Sequence, residues 1–324
     1  MLSRLAGNCF WLGRYLERAE ANARLLRAIN RQSLLPGYTR SADLYLTALA
    51  VVDDLEGFHD TNREVSAQAV LRFMIADLDN PSSIVSCLRA VRENARSARH
   101  ALTAGYWEAV NATWLEAQKL ATDGLDIEHI EGTLDWAIHR CQWIRGAGDD
   151  LRRGEVPDVL TLGQSVERSD FTARLLQIML KDLPKVDPAN PPLIGDEDYR
   201  CWMAMLEAAD IVESWLHVHQ DRVVGEPALH LLVANAGTTR SLLTNARRMV
   251  SALESAVGRD DSPALHAATE LVHRILAITF DDEEGGVPDD LQSALPDIVQ
   301  RVWKVSDLAL EHHFSIPTRV SSTE

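Results

Sequence analysis

One fifteen-residue stretch is written twice in this chain: LGRYLERAEANARLL at 12–26 and LGQSVERSDFTARLL at 162–176, identical at eight positions. Apolar residues three and four apart, such as Leu12, Leu16, Ala19, Ala23 and Leu26, make the first copy read as a helix with a buried stripe. The order of later segments also repeats. Residues 71–91 align with 229–249 at an offset of 158, and Trp143 with Trp303 at 160, where the first stretch gave 150. A slowly growing offset is what small loop insertions produce between two copies of one unit. Sustained apolar–polar alternation, and Asn-Gly or Asp-Gly hairpins between β-branched runs, are missing. The expected fold class is therefore all-α: about twelve helices, built as a tandem duplication of a six-helix unit in one compact bundle. The first helical repeat covers 1–155 and the second 156–324.

Breakers place helices near 3–34, 41–58, 63–77, 81–103, 106–121 and 127–153, then near 157–182, 197–220, 226–235, 239–257, 263–280 and 289–312. Residues 184–198 carry four prolines and read as a non-helical connection inside the second copy. The junction between copies is the short stretch Gly154–Pro157, and the acidic run Asp281–Asp290 reads as a solvated turn.

Hydrophobic residues are 46% of the 324, enough for a sizeable core without disulfides or metal. Asp plus Glu outnumber Lys plus Arg by 48 to 32. The resulting charge of −16 argues against nucleic acid or an anionic membrane surface as a partner. Apolar runs are broken by charge well before the roughly 18 residues of a membrane span. The stretch between Arg4 and Arg14 is too short and mixed for a signal peptide. Cys9, Cys87, Cys141 and Cys201 form no CxxC, so packed, reduced thiols and a cytoplasmic location are expected.

In the first helix Gly13, Glu17, Glu20, Arg24, Arg27 and Arg31 recur at steps of four and three and share one face. Gly163, Glu167, Asp170, Arg174, Gln177 and Lys181 repeat the steps in the second copy, with Arg18 and Arg168 beside the two ladders. Glu20–Arg24 and Asp170–Arg174 are i,i+4 pairs of favourable orientation, worth about 0.3–0.5 kcal/mol each when exposed. Mid-helix glycine costs about 1 kcal/mol relative to alanine. Gly13 and Gly163 therefore imply close approach by another backbone or a ligand. If the ladders face each other, four carboxylates and at least two arginines meet, either as a buried structural network or as a grip on a cation or charged substrate.

The opening MLSRLAGNCFWLGRYLERAEANARLL, the stretch DLDNPSSIVSCLRAVRENARSAR at 77–99 and YWEAVNATW at 106–114 resemble the alpha-E family, a bacterial all-helical family named for its Glu-Arg motif. The resemblance runs from about 1 to 313 and includes a second Glu-Arg motif in LGQSVERSDFTARLL. Carried onto this chain, the motif residues are Glu17, Arg18, Glu167 and Arg168. The second half departs: Gln164 and Ser165 replace Arg14 and Tyr15, and Gly237–Arg240 replaces the Asn-Pro-Ser-Ser element. Members of the family are typically encoded beside, or fused to, circularly permuted ATP-grasp ligases, often with a transglutaminase-like protease nearby. The resemblance thus implies a setting of amide-bond formation and processing in a small peptide or modified metabolite.

Further candidates lie outside the ladders. Asn80-Pro81-Ser82-Ser83 reads as a helix start, with Asn80 or Asp79 as N-cap and Pro81 at the first helical position. With Ser82, Ser83 and the following Arg89, Arg92, Arg96 and Arg99, it is either a capped basic face or an anion site. Glu56–His59 and Glu270–His273 have helical metal-ligand spacing, but the duplication does not reproduce the first pair, and no metal is assigned. GxSxG, GxxxxGK[ST] and GxGxxG after a strand are absent. Independent ATP use is not expected, and no cofactor is assigned.

The leading expectation is an accessory or scaffold partner of an ATP-grasp ligase. It would dock the ligase, or present its peptide or metabolite substrate, through a polar groove around the two Glu-Arg helices, with Arg18, Arg24, Arg168, Arg174, Ser82, Ser83, Arg92 and Arg96 as binding residues. The alternative is an enzyme whose Glu17, Glu20, Glu167 and Asp170 form an acid/base or metal-assisted cluster. A third expectation is a homodimer joined around Trp107, Trp114 and Trp202.

Overall fold

The computed structural model describes residues 3–34, 41–61, 63–122, 124–151, 155–182, 197–219, 223, 225–257, 262–280 and 289–314. The proline-rich connection at 184–196, the acidic run at 281–288 and residues 152–154 of the junction lie outside them. Among the described residues there are fourteen α-helices and no strand. They are α1 (Ser3–Ser33), α2 (Ser41–Val51), α3 (Leu55–Asp60), α4 (Ala67–Ile75), α5 (Ile84–Ser97), α6 (Ala104–Thr122) and α7 (Ile130–Ala147). Then follow α8 (Glu155–Asp182), α9 (Glu197–Ala208), α10 (Val212–His219), α11 (Gly225–Val233), α12 (Leu242–Val257), α13 (Pro263–Leu276) and α14 (Asp289–His312). A 3₁₀ turn, Arg99–Ala101, follows α5. The protein is all-helical, as the spacing of its apolar residues predicts.

Two expected helices are each cut in two. Asp53 and Asp210 have φ of 58° and 59°, the left-handed region that ends an α-helix. The amide of Asp54 donates to the carbonyl of Leu49 (2.9 Å), and that of Ile211 to Leu206 (3.0 Å), closing a Schellman turn after α2 and α9 alike. Aspartate tolerates this conformation through its short polar side chain. Apolar spacing alone does not reveal it, because the stripe resumes in α3 and α10.

The helix after Pro81 also starts later than its composition suggests. Ser83, not Asn80 or Asp79, is the N-cap of α5, its Oγ accepting from the Ser86 amide, and Pro81 stays outside the helix. Asn80 instead accepts the Ser82 amide at 2.7 Å, forming an Asx turn. At α12 Ser241 plays the part of Ser83, accepting from Thr244 at 3.1 Å. The burial patterns of α7 and α14 coincide from Ile130 and Leu291 onward, one residue beyond the Trp143–Trp303 match. That register sets Arg145 opposite Ser306.

α1 is central and buried on every side, against α5, α7, α8 and α9. It crosses α8 with backbones touching at the two glycines. A Cβ on Gly13 would run into the Leu160 carbonyl oxygen, and one on Gly163 into that of Phe10. Only glycine permits this approach, which brings the two Glu-Arg motifs together.

Trp202 lies in the core, while Trp107 and Trp114 are half-buried. The three therefore share no exposed face of the kind a tryptophan-lined dimer interface needs. Cys9, Cys87 and Cys141 are buried and Cys201 half-buried, all as free thiols. No helix among the described residues is long and apolar enough to cross a membrane.

Candidate functional site

Each Glu-Arg motif is completed by the other. Arg18 of α1 donates to Glu167 of α8 through Nε at 2.5 Å and Nη2 at 3.1 Å, while Arg168 of α8 reaches Glu17 of α1 at 2.8 Å. The second tier is exchanged in the same way. Arg24 meets Asp210 at 3.2 Å and Arg174 meets Asp53 at 3.1 Å, the two left-handed aspartates. Within each helix Arg24 also pairs with Glu20, and Arg174 with Asp170 at 3.1 Å. The four carboxylates thus form two clusters, and among the described residues no guanidinium ion-pairs with Glu17 or Glu20 and also with Glu167 or Asp170.

The first cluster is sealed. Glu17, Glu20 and Arg24 are at most 2% exposed. Arg145 of α7 reaches Glu17 at 3.2 Å and also pairs with Glu20. Arg240, just before the capping Ser241, pairs with Glu17 and lies 3.1 Å from Asp210. Four guanidiniums (Arg24, Arg145, Arg168, Arg240) therefore serve three carboxylates (Glu17, Glu20, Asp210). Donors are in excess: the buried Nε atoms of Arg24, Arg145 and Arg168 have no hydrogen-bond partner. Burial alone would raise the Glu17 pKa, but the charges of Arg168, Arg240 and Arg145 outweigh it and hold the carboxyl well below its usual range. Arg145 is shifted down, by burial first and then by Arg168 and Arg240, against the pull of Glu17.

The second cluster is open. Glu167 takes Arg14 on Oε2 at 2.8 Å as well as Arg18, and these two charges overcome its burial to hold its pKa at about 2. Asp170 accepts both Arg174 (3.1 Å) and the Trp303 indole N–H (2.8 Å) on Oδ1. Its pKa is raised, by burial first and then by the charge of Glu167. Beside them lies a cavity of about 350 Å³, whose lining includes Arg18, Ser82, Glu167, Asp170, Arg174 and Trp303. Ser82 and Ser306 also face it. They stand where the sealed cluster has Arg240 and Arg145. Two serines stand in place of two arginines, and Arg14 reaches in only as far as the Ser306 hydroxyl, to which it donates at 3.3 Å.

The remaining predicted residues fall elsewhere. Ser83 is fully buried as a cap. Arg92 bonds Asn111 at 3.0 Å and Glu93, and Arg96 bonds Glu93, so these arginines form a surface network on α5 and α6 and do not line the cavity. Arg27 and Arg31 pair with Asp135 and Glu131 of α7. Glu270 contacts Arg301 and Lys304, each at 3.6 Å, and among the described residues no His, Cys, Asp and Glu group suited to a metal ion occurs.

Arg14, Asp53, Arg145, Asp210, Arg240, Trp303 and Ser306 were not among the residues singled out from spacing as site candidates. Arg14 and Arg240 carry a signal, since both lie where the aligned segments differ, and Trp303 carries one through its match to Trp143.

A wholly helical body, pinned at its centre by ion pairs exchanged between two Glu-Arg helices, is the class the geometry defines. The Alpha-E family model, described as a predicted alpha-helical domain with a conserved ER motif, matches residues 1–314. The chain belongs to the Alpha-E family. Neither the curated proteins nor the solved structures compared with it gave a match.

Proposed function

We propose that this protein is an accessory partner of a circularly permuted ATP-grasp ligase that forms amide bonds. It would present the ligase's peptide or metabolite substrate from the cavity beside Glu167 and Asp170. The two-copy organisation, 1–155 and 156–324, belongs to the same proposal, as does a transglutaminase-like protease acting in the same pathway. The supporting observation is the asymmetry of the central network. Ion pairs hold Glu17 and Glu167 in the charged form, which suits positioning rather than proton transfer, and one half of the network opens onto a ligand-sized space.

The test is affinity capture of tagged protein from its native cells, with mass spectrometry for a circularly permuted ATP-grasp ligase, followed by amide formation with and without this chain. Stoichiometric co-elution and faster product formation are expected. Separate elution together with unchanged turnover would overturn the proposal.

One observation favours a catalytic alternative. Burial raises the Asp170 pKa, and the residue faces the cavity. A proton-transfer role for it predicts that Asp170→Asn abolishes product formation while ligase capture persists.

A further inference from the structure

The sealed half of the molecule shows what this arrangement of carboxylates holds. There, Glu17, Glu20 and Asp210 are covered by Arg240 and Arg145 in addition to the exchanged Arg168 and the helix's own Arg24. In the open half, Glu167, Asp170 and Asp53 keep the equivalents of the last two, Arg18 and Arg174, and gain Arg14. The positions of Arg240 and Arg145 are Ser82 and Ser306.

An acidic group shifts the other way. Asp307 faces the cavity where the sealed half has Gly146. The sealed half thus sets four guanidiniums against three carboxylates. Counted the same way, the open half sets three (Arg14, Arg18, Arg174) against three (Glu167, Asp170, Asp53), and the exposed Asp307 in the cavity lining adds a fourth carboxylate. One half has surplus donors, and the other has surplus acceptors and a space.

The geometry points to a cationic ligand group, an ammonium or guanidinium, as the occupant of this cavity, seated where Arg240 and Arg145 sit in the sealed half. This rests on the proposal that the cavity presents substrate, and it names the substrate class: an amine-bearing metabolite or peptide residue. Asp170 accepts Arg174 and Trp303 on Oδ1 alone, so Oδ2 takes no donor among the described residues and is available to an ammonium. The Ser82 hydroxyl supplies a further acceptor, and the Ser306 hydroxyl, which takes Arg14 Nη1 at 3.3 Å, keeps a second lone pair. Anions fit less well, because Arg14 and Arg18 are already committed to Glu167. In an amide ligation the amine is the nucleophile, so a site that selects for it suits the proposed partner.

Calorimetric titration of the full chain with agmatine, with n-butylamine and with glutarate tests the inference. Agmatine or butylamine is expected to bind and glutarate to give no heat. Asp170→Asn should weaken amine binding about tenfold or more. Ser82→Arg, which rebuilds the sealed arrangement, should abolish it while the thermal melt stays cooperative. Absence of amine binding at about 10 mM ligand, binding of glutarate in its place, or unaltered amine binding in both variants overturns the inference. If Ser82→Arg does not fold, Asp170→Asn decides. Ligase capture is measured on the same proteins. Capture without amine binding removes only the inference, whereas amine binding without capture removes the accessory role and leaves the site standing.

Discussion

The two ends of the Glu-Arg crossing are built from the same parts and finish differently. Around Glu17 and Glu20 guanidiniums fill the gaps and both carboxylates are buried, with Asp210 and Arg145 at the outer edge reaching solvent. Around Glu167 and Asp170 two serines and an exposed tryptophan edge leave a cavity of about 350 Å³. The exchanged pairs Arg18–Glu167 and Arg168–Glu17 are common to both ends, so they account for cohesion of the two helices. What differs, Arg145 and Arg240 against Ser306 and Ser82, accounts for access. The exchanged pairs are thus shared by both ends, and the residues at 82, 145, 240 and 306 decide which end is closed.

Removing the filler from the sealed end should have the largest effect. Arg240→Ala takes from the buried Glu17 one of its three guanidiniums and opens a cavity beside it, at a cost of about 3 kcal/mol. Ser82→Ala at the matching open position should cost less than about 0.5 kcal/mol. Equal urea midpoints for the two variants would erase the distinction.

Gly13→Ala and Gly163→Ala test the crossing that both ends share. Helix propensity alone would favour alanine by about 1 kcal/mol. The carbonyls of Leu160 and Phe10 reverse the sign, so a loss of about 1–3 kcal/mol or more is expected from each. A raised melting temperature in either variant would mean that the helices do not touch there.

Acid reads the open end. The Glu167 pKa is lowered in the folded protein, so its contribution is present above its ordinary value and disappears as pH falls towards about 2. Unfolding free energy should drop by up to about 3 kcal/mol across that window, and Glu167→Gln should flatten the drop. A parallel decline in wild type and variant would assign the acid sensitivity to other groups.

The smallest contrast lies in the left-handed aspartates. Asp210, shared by Arg24 and Arg240, should lose about 1 kcal/mol on substitution by Asn. Asp53 is 67% exposed and faces Arg174 alone among the described cations, so about 0.5 kcal/mol or less is expected. Chemical denaturation of Asp53→Asn and Asp210→Asn measures both.

The ladders were legible in the sequence because their geometry is local. Steps of three and four put Glu17, Glu20 and Arg24 on one face whatever surrounds them, and the mid-helix glycines announced a close neighbour. The crossed pairing was not legible. A helix pattern says which side Arg18 occupies, not that Glu167 of another helix, rather than its own Glu17, will receive it. Arg145 and Asp210 carried no signal, since each enters from an element whose spacing has no link to the ladder. The breaks at Asp53 and Asp210 were hidden for a related reason: a single left-handed residue leaves the apolar stripe intact on either side.

The exchange of arginines between α1 and α8 has the form of an isologous contact, in which one residue meets its counterpart's neighbour and the reverse also holds. Two identical subunits in such a contact are bound by their symmetry: both sites close or both stay open. A single continuous chain is under no such constraint. It can close one site with ion pairs and keep the other open to solvent, and here that freedom is taken at positions 82 and 306.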